Sequence, residues 1–253
     1  MDRALTIVAA LEAKAQPLTL ADIARATGMY KSTLLRLLAS LERSALVVRR
    51  SDQKYSLGQF AFRLGCAFEA IYHLKECVYP ALERLVEQGT ESPSFHVWND
   101  EQTRLCLFRI DSHHSTLDRI RPGDLLPLHR GAAGKVLRAF RHAPPVKHDV
   151  PLIYTSFGER DPLCAAVAAP VFGRGGELLG ALSLSGPRER FSDAAMKKMA
   201  KPLLAAASRA TRELGGEWPG ARASPVPAQR AIARASAGRP HARTRLSLRS
   251  SSS

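Results

Sequence analysis

The stretch "TGMYKSTLLRLLASLERSALVVRR", residues 27–50, combines a glycine, a Lys-Ser-Thr cluster, a leucine stripe and two terminal arginines. The stripe has the i, i+3, i+4, i+7 spacing that places side chains on one face of a helix. It consists of Leu34, Leu37, Leu38 and Leu41. We therefore predict a helix that begins at about Lys31, buries its leucines and turns its polar side chains outward.

The residues before this helix predict a helix-turn-helix. In "PLTLADIARATG", residues 17–28, Thr19 and Asp22 have the spacing of a capping box. In such a box a hydroxyl and a carboxylate bind the free amides at the start of a helix. Gly28 suits the end of that helix, because glycine adopts the left-handed conformation without strain.

Two further elements complete the predicted N-terminal domain, residues 1–58. A first helix over residues 3–14 has four apolar side chains near one face, Leu5, Val8, Ala9 and Leu11. Beyond the leucine stripe, the β-type runs "ALVVRR" and "KYSLG" are joined by the polar "SDQ", which predicts a hairpin. Three helices followed by a hairpin are the order of a winged helix-turn-helix.

This order predicts DNA binding, because such a domain places its last helix in the major groove and its hairpin along the flanking backbone. The free amides and the dipole at the start of that helix also attract phosphate. The predicted DNA contacts are Thr19, Lys31, Ser32, Thr33, Arg36, Ser40, Arg43, Arg49, Arg50 and Lys54. The alternative is a small helical bundle whose basic faces are merely solvated.

The distribution of charge favours a polyanionic partner. The 253 residues carry a net charge of +14. Residues 1–65 contribute +5 and residues 215–253 contribute +6, so the long middle part is nearly neutral. Basic charge concentrated on a helix-turn-helix agrees with binding to double-stranded DNA. The basic tail either adds DNA affinity that is independent of sequence or is an incidental extension.

Cysteine usage and hydropathy favour a cytoplasmic protein. Cys66, Cys77, Cys106 and Cys164 are scattered without a CxxC pair, which fits reduced and mostly buried thiols. The sequence has no signal-peptide pattern and no run of about 18 apolar residues. We expect no membrane association, no metal and no cofactor.

The rest of the chain predicts a linker helix over residues 59–74 and a second, α+β domain over residues 75–214. Short strand-like runs such as "SFHVWND" and "TRLCLFRID" alternate there with amphipathic helices. "RPGDLLPLH" is predicted to be a loop. Residues 215–253 mix Pro, Gly, Ala, Ser and Arg without periodicity, and we predict that they are disordered.

Two segments of the second domain suggest a ligand site. In "LLGALSLSG", strand alternation puts Ala181, Ser183 and Ser185 on one face, and their hydroxyls need a backbone or ligand partner. In "GAAG", a helix starts with free amides over Ala132 and Ala133, an arrangement that suits a carboxylate. The alternative is that these residues serve packing alone.

The pattern "PLTLADIARATGMYKSTLLRLLASLERSALVVRR…KYSLG" resembles that of the IclR family of transcriptional regulators. "PLHRGAAGKVLRAF" and "AAVAAPVFGRGGELLGALSLSGPRERF" are similar to two later family segments, so the resemblance spans about residues 3–214. It implies a GAF-like effector domain with an antiparallel sheet flanked by helices. The effector-site positions that it implies are Ala132, Ala133, Ser156, Ala166, Ser183 and Ser185. The chain departs from the family at residues 141–156, where the segment is shorter.

These patterns together predict a bacterial transcription factor, either a repressor or an activator. We expect a homodimer or tetramer that reads a pseudo-palindromic operator and responds to a small carboxylic acid, with aromatic acids among the candidates. One alternative is a GAF-like α/β enzyme with an N-terminal docking module, although no nucleophile or base is set apart in the sequence. The other is a DNA-binding protein that needs no ligand.

Overall fold

A computed structural model of the chain describes residues 1–116, 118–142 and 151–219. The helices are α1 (Asp2–Lys14), α2 (Leu20–Thr27), α3 (Lys31–Arg43), α4 (Gln59–Tyr72), α5 (Leu74–Glu87), α6 (Ala132–Phe140) and α7 (Asp193–Glu213). The strands are β1 (Val47–Arg49), β2 (Tyr55–Leu57), β3 (Ser92–Trp98), β4 (Thr103–Arg109), β5 (Leu125–Pro127), β6 (Tyr154–Phe157), β7 (Cys164–Phe172) and β8 (Leu178–Pro187). The predicted α+β class is confirmed.

The N-terminal helices and hairpin form the predicted winged helix-turn-helix. The leucine stripe of α3 packs into a core with α1, α2 and the hairpin, and Leu34 and Leu38 are fully buried. In α1 the buried side chains are Ile7 and Leu11. Leu5, which the sequence placed on the buried face, is half-exposed, so the face of α1 is rotated from the prediction.

The turn between α2 and α3 has the predicted local chemistry. Thr19 Oγ1 accepts a hydrogen bond from the Asp22 amide, and Asp22 Oδ2 accepts from the Thr19 amide at 3.1 Å, which completes the capping box. Gly28 ends α2 in the left-handed conformation, with φ at 68°. The Thr19 bonds therefore fix where α2 begins, and the αL glycine fixes where it ends.

The helix that follows the hairpin is interrupted near residue 73. The predicted linker helix corresponds to α4, which ends at Tyr72 because His73 adopts a left-handed φ of 47° before α5. Several apolar side chains of α4, among them Phe62 and Leu64, face solvent.

A six-stranded antiparallel sheet in the order β5-β4-β3-β8-β7-β6 is the centre of the second domain. One face packs on α5 and α7 through an apolar cluster that includes Phe95, Phe108 and Leu182. The other face carries α6, which packs on Ala168 and Phe172. The three residues of β5 lie in the segment predicted to be a loop. They form a strand because Arg104 and its neighbours pair with them.

The polypeptide continues on the folded domain beyond α7. Residues 215–219 belong to the segment predicted to be disordered, yet the Trp218 ring lies 6.4 Å from that of Phe172. Residues 220–253, the remainder of that predicted tail, lie outside the described residues.

The four thiols are free, and Cys106 is the buried one, so the expectation of mostly buried cysteines is wrong. Within the described residues no helix is long and apolar enough to cross a membrane.

Candidate DNA-binding surface and ligand cavity

The solvent side of α3 carries an unpaired set of polar side chains. The leucines of the stripe face the core, whereas Leu35 and the polar residues Lys31, Ser32, Arg36, Ser40 and Arg43 are exposed. In the part of the chain that the structure describes, none of these five polar side chains has a hydrogen-bond or ion-pair partner. Their charge and donor groups are therefore available to an external ligand.

The start of α3 adds free amides to this surface. Its N-cap is Tyr30, whose side chain makes no capping hydrogen bond and is largely exposed. The first-turn amides at Lys31, Ser32 and Thr33 consequently lack a side-chain acceptor, and amides at a helix start are suited to bind phosphate. Thr33 is half-buried, unlike the exposed Lys31 and Ser32.

The hairpin places more positive charge beside α3. Arg49 and Arg50 are exposed, and the Arg49 guanidinium lies 5.7 Å from the centre of the Tyr55 ring. Arg50 and Lys54 approach Asp52 at 3.7 Å and 3.8 Å, in exposed ion pairs of little energy. Both cations can turn to a phosphate without breaking a strong contact.

Thr19 differs from the other predicted DNA contacts. Its hydroxyl donates to Asp22 Oδ2 at 2.6 Å and accepts from the Asp22 amide at 3.2 Å. These bonds lower the pKa of the Asp22 carboxyl. The Thr19 side chain is thus engaged in holding the start of α2.

A cavity lies where α6 meets the polar face of the sheet. All six predicted effector residues line it together: Ala132, Ala133, Ser156, Ala166, Ser183 and Ser185. The sheet register brings them there, because Ser156 pairs with Ala166, Ala166 with Ser185, and Ser183 with Ser94. Sequence reasoning treated these residues as separate segments, and the fold makes them neighbours.

The sequence analysis missed the buried cation of this cavity, Arg104. This residue of β4 is 3% exposed and lines the cavity. Its Nη1 donates to the carbonyl oxygens of Pro127 and of Arg130, the latter at 2.8 Å. Its Nε has no partner among the residues that the structure describes. Burial, with the positive charge of Arg160, lowers the pKa of Arg104 to about 10, so the side chain remains a cation at neutral pH.

A buried imidazole, that of His96, also lines the cavity, and no pattern in the sequence had singled it out. His96 is 1% exposed, and its Nε2 lies 2.9 Å from Ser94 Oγ. Within the described ranges, its Nδ1 has no partner. Burial, together with the positive charge of Arg104, Arg109 and Arg160, holds the pKa of His96 well below its usual range. The imidazole is therefore neutral.

A network of ion pairs closes one side of the cavity. The buried Asp118 accepts from Arg109 Nη2 at 2.5 Å and from Arg160 Nη2 at 3.3 Å. Arg109 also lies 3.5 Å from Ser185 Oγ and donates to Asp111 at 2.7 Å. The lining of the cavity itself carries two guanidinium groups, Arg104 and Arg160, and one carboxylate, Asp161, so its formal charge is net positive.

The start of α6 is held by Glu159. Its Oε2 accepts from the Gly131 amide at 3.3 Å, and its Oε1 is paired with Lys135. Lys135 also donates to the carbonyl oxygen of Thr155 at 2.9 Å. Glu159 therefore fixes α6 against β6, whereas the adjacent Arg160 and Asp161 line the cavity.

The cavity is small in this conformation. Its enclosed volume is about 30 Å³, room for only a few water molecules and far below the roughly 300–1,000 Å³ of drug-sized ligand pockets. Phe95 and Phe108 do not form an aromatic wall for it, because they stack in the core on the other face of the sheet. In the described ranges no group of three or more His, Cys, Asp or Glu side chains could hold a metal.

Comparison with known proteins yields one consistent family. Residues 1–51 match the family model of the IclR helix-turn-helix domain, and residues 154–212 match that of the bacterial transcriptional regulator IclR C-terminal domain. The HTH-type transcriptional regulator BhcR of Paracoccus denitrificans is 31% identical, over 82% of this chain and 84% of its own. The transcriptional repressor IclR of Escherichia coli is 25% identical, over 78% and 83%.

Solved structures show the same fold. The IclR protein of Thermotoga maritima superposes with a TM-score of 0.65 at 17% identity, over 85% of this chain and 98% of its own. An IclR homologue from Microbacterium hydrocarbonoxydans, in complex with 4-hydroxybenzoate, gives a TM-score of 0.72 at 19% identity, over 84% and 98%.

Proposed function

The chain belongs to the IclR family of transcriptional regulators, and on that premise we propose that a small carboxylic acid controls its binding to operator DNA. The relatives are regulators rather than enzymes, so the enzyme alternative is not supported. As part of the proposal, the protein acts in the cytoplasm as a homodimer or tetramer. Two helix-turn-helix domains would then read a pseudo-palindromic operator at helical-turn spacing.

The observation that carries this proposal is the solvent side of α3. Helix α3 packs its leucine stripe into the core and exposes Lys31, Arg36 and Arg43, which have no partner among the described residues. The amides at its start have no side-chain cap. Small side chains such as Ser32 and Ser40 lie between the cations and allow close approach to base edges. The basic hairpin beside it supplies contacts to the DNA backbone.

The proposed effector site is the cavity lined by the six small and hydroxyl-bearing residues named above. Its electropositive lining and the amides at the start of α6 favour an anion. The complex of one neighbour with 4-hydroxybenzoate supports a carboxylic acid as the class of effector. A ligand that prefers one arrangement of the DNA-reading domains over another would shift operator affinity.

Variants of α3 test the DNA-binding surface. Operator sequences are selected from random duplexes on the full chain, and affinity is then measured by fluorescence anisotropy at moderate salt. We expect Arg36→Ala to lower affinity for the selected sequence by at least about tenfold, since a lost base contact costs about 1–3 kcal/mol. We expect Lys31→Ala to weaken all duplexes alike and to reduce the salt slope by about one, as for a phosphate contact.

The matched control is Lys198→Ala, which removes the same charge from an exposed position on α7. It should leave operator affinity unchanged. Unaltered affinity in both α3 variants would remove this helix face from the interface.

The small volume of the cavity favours a second candidate function, a DNA-binding protein that needs no effector. A thermal-shift screen of carboxylic acids on the full chain separates the two. At least one acid should raise the melting temperature if the protein is effector-controlled, and none should do so if the cavity is only a packing space.

A further inference from the structure

Two buried side chains at the cavity have polar atoms without partners among the described residues. Arg104 is 3% exposed, its Nε is unbonded, and no carboxylate lies within ion-pair distance of it. His96 is 1% exposed and its Nδ1 is unbonded, although its Nε2 is close to Ser94. Both side chains line the same small space.

The unpaired state of Arg104 is unfavourable in the absence of a ligand. Removing a guanidinium from water costs several kcal/mol unless a counter-charge and hydrogen bonds compensate. The buried carboxylate of Asp118 is already paired with Arg109 and Arg160, and Asp161, which lines the cavity, makes no ion pair with Arg104 among the described residues. A bound anion would supply the charge that the protein itself does not place beside Arg104.

The backbone leaves room for that anion. Gly131 precedes α6 with φ at 88°, and a Cβ at this position would lie 3.2 Å from Arg104 Nη2. Glycine therefore keeps the guanidinium uncovered on the side of the α6 amides. Ala132 and Ala133 follow it with side chains too small to fill the space.

We propose that Arg104 and His96 select the effector, a short-chain acid whose carboxylate binds Arg104 and whose second oxygen, of a hydroxyl or carbonyl group, binds His96 Nδ1. This inference rests on the proposed function, because it places the effector in the same cavity. Two polar anchors in a space of about 30 Å³ favour a molecule of a few heavy atoms. A planar aromatic acid would require the walls to move apart.

Calorimetric titration of the full chain tests this selection with a panel of two- to four-carbon acids and their neutral amides. The panel includes glycolate, lactate, propionate, glycolamide and lactamide. We expect the hydroxy acids to bind at least about tenfold more tightly than their amides, since hydrogen bonds to an ionised group are about twice as strong as neutral ones. Lactate should also bind more tightly than propionate, which lacks the second oxygen.

Three variants assign these preferences to residues. Arg104→Gln should weaken lactate at least about tenfold and remove the preference for acid over amide. Arg104→Lys should restore part of that preference, because it returns the charge without the forked geometry. His96→Leu should make lactate and propionate bind alike. The circular dichroism spectrum and melting temperature of each variant without acid separate an effect on the ligand from a loss of folding.

Several results would overturn the inference. They are equal binding of acids and amides by the wild type, lactate binding that survives Arg104→Gln, and no binding by any short acid at millimolar concentration. If only larger acids raise the melting temperature, effector control stands and the assignment to Arg104 and His96 fails. If the α3 variants keep full operator affinity, the proposed DNA-binding surface fails, whatever the acids do.

Discussion

At the scale of single residues, the buried polar side chains of the sheet domain fall into two sets: those with a charged or hydrogen-bonding partner for each polar atom, and those with a polar atom left unpaired among the described residues. Glu91 accepts from Arg190 Nε at 2.6 Å and from its Nη2 at 2.8 Å, a forked pair that ties β3 to the end of β8. Arg109 and Asp118 form a comparable pair. Among the described residues, His96 Nδ1 and Arg104 Nε have no such partner, and both side chains line the cavity.

His96 predicts a specific dependence of stability on pH. The folded protein keeps the imidazole neutral, because burial and three guanidinium groups lower its pKa. The unfolded chain binds a proton at about pH 6.5. Below that pH the unfolded state therefore gains protons that the folded state does not, and the free energy of unfolding falls as pH falls, by up to about 1.4 kcal/mol per pH unit.

The measurement is urea unfolding of wild type and His96→Gln between pH 7.5 and pH 5. Glutamine does not titrate and retains a polar group near Ser94, so the variant should lose less stability on acidification. The other histidines are common to both proteins, and the difference between the two curves isolates His96. Parallel curves would mean that His96 is protonated in the folded state as readily as in the unfolded one.

At the scale of elements, the close approach of α6 to the strand before it depends on Gly134. A Cβ at this position would overlap the carbonyl oxygen of Leu128, a backbone atom that cannot rotate away. We expect Gly134→Ala to destabilise the protein by about 1–3 kcal/mol, as overpacking typically does. Differential scanning calorimetry should show the loss as a lower melting temperature.

The matched control is Gly65→Ala on α4, where an added Cβ would meet no atom within 4 Å. Alanine in an exposed helix interior should stabilise by about 0.5–1 kcal/mol through the lost freedom of the unfolded chain. Equal effects of the two substitutions would contradict the close contact at Gly134.

Elements whose signal is local could be predicted from the sequence. The leucine spacing of α3 and the Thr19–Asp22 box each act within a few residues, and the structure has both. The strand β5 was missed because its three residues, which end at Pro127, are too few to show a period and pair only with β4. On α1, Leu5 and Ile7 satisfy similar helical patterns, and only tertiary packing selects Ile7.

The cavity shows where sequence reasoning stops. Alternation along β8 put Ser183 and Ser185 on one face, as the register has them. No pattern in the sequence pairs Ser183 with Ser94 or brings Arg104 and His96 to the same space, because cross-strand register depends on the whole sheet. The residues to which we assign effector selectivity were therefore visible only in the fold.

At the scale of the whole molecule, regulation requires that the cavity and the α3 surface be energetically coupled. A ligand can shift operator affinity only by its difference in affinity for the free and the DNA-bound protein. The same coupling free energy must then appear in the reverse direction, as a change of ligand affinity when operator is bound. This reciprocity distinguishes an effector from a ligand that merely stabilises the fold.

We expect two equal ratios of dissociation constants. Each should lie in the range of about 5–150, which corresponds to coupling free energies of about 1–3 kcal/mol. The first ratio compares the operator Kd with and without a saturating acid from the panel, measured by anisotropy. The second compares the acid Kd with and without saturating operator, measured by calorimetry at the same salt concentration. At an operator concentration that saturates the wild type but not Lys31→Ala, the second shift should be smaller in this variant, while the affinity of the free protein for the acid stays intact. An acid that raises the melting temperature but gives two ratios of one would be a structural ligand, and the regulatory role of the cavity would fail.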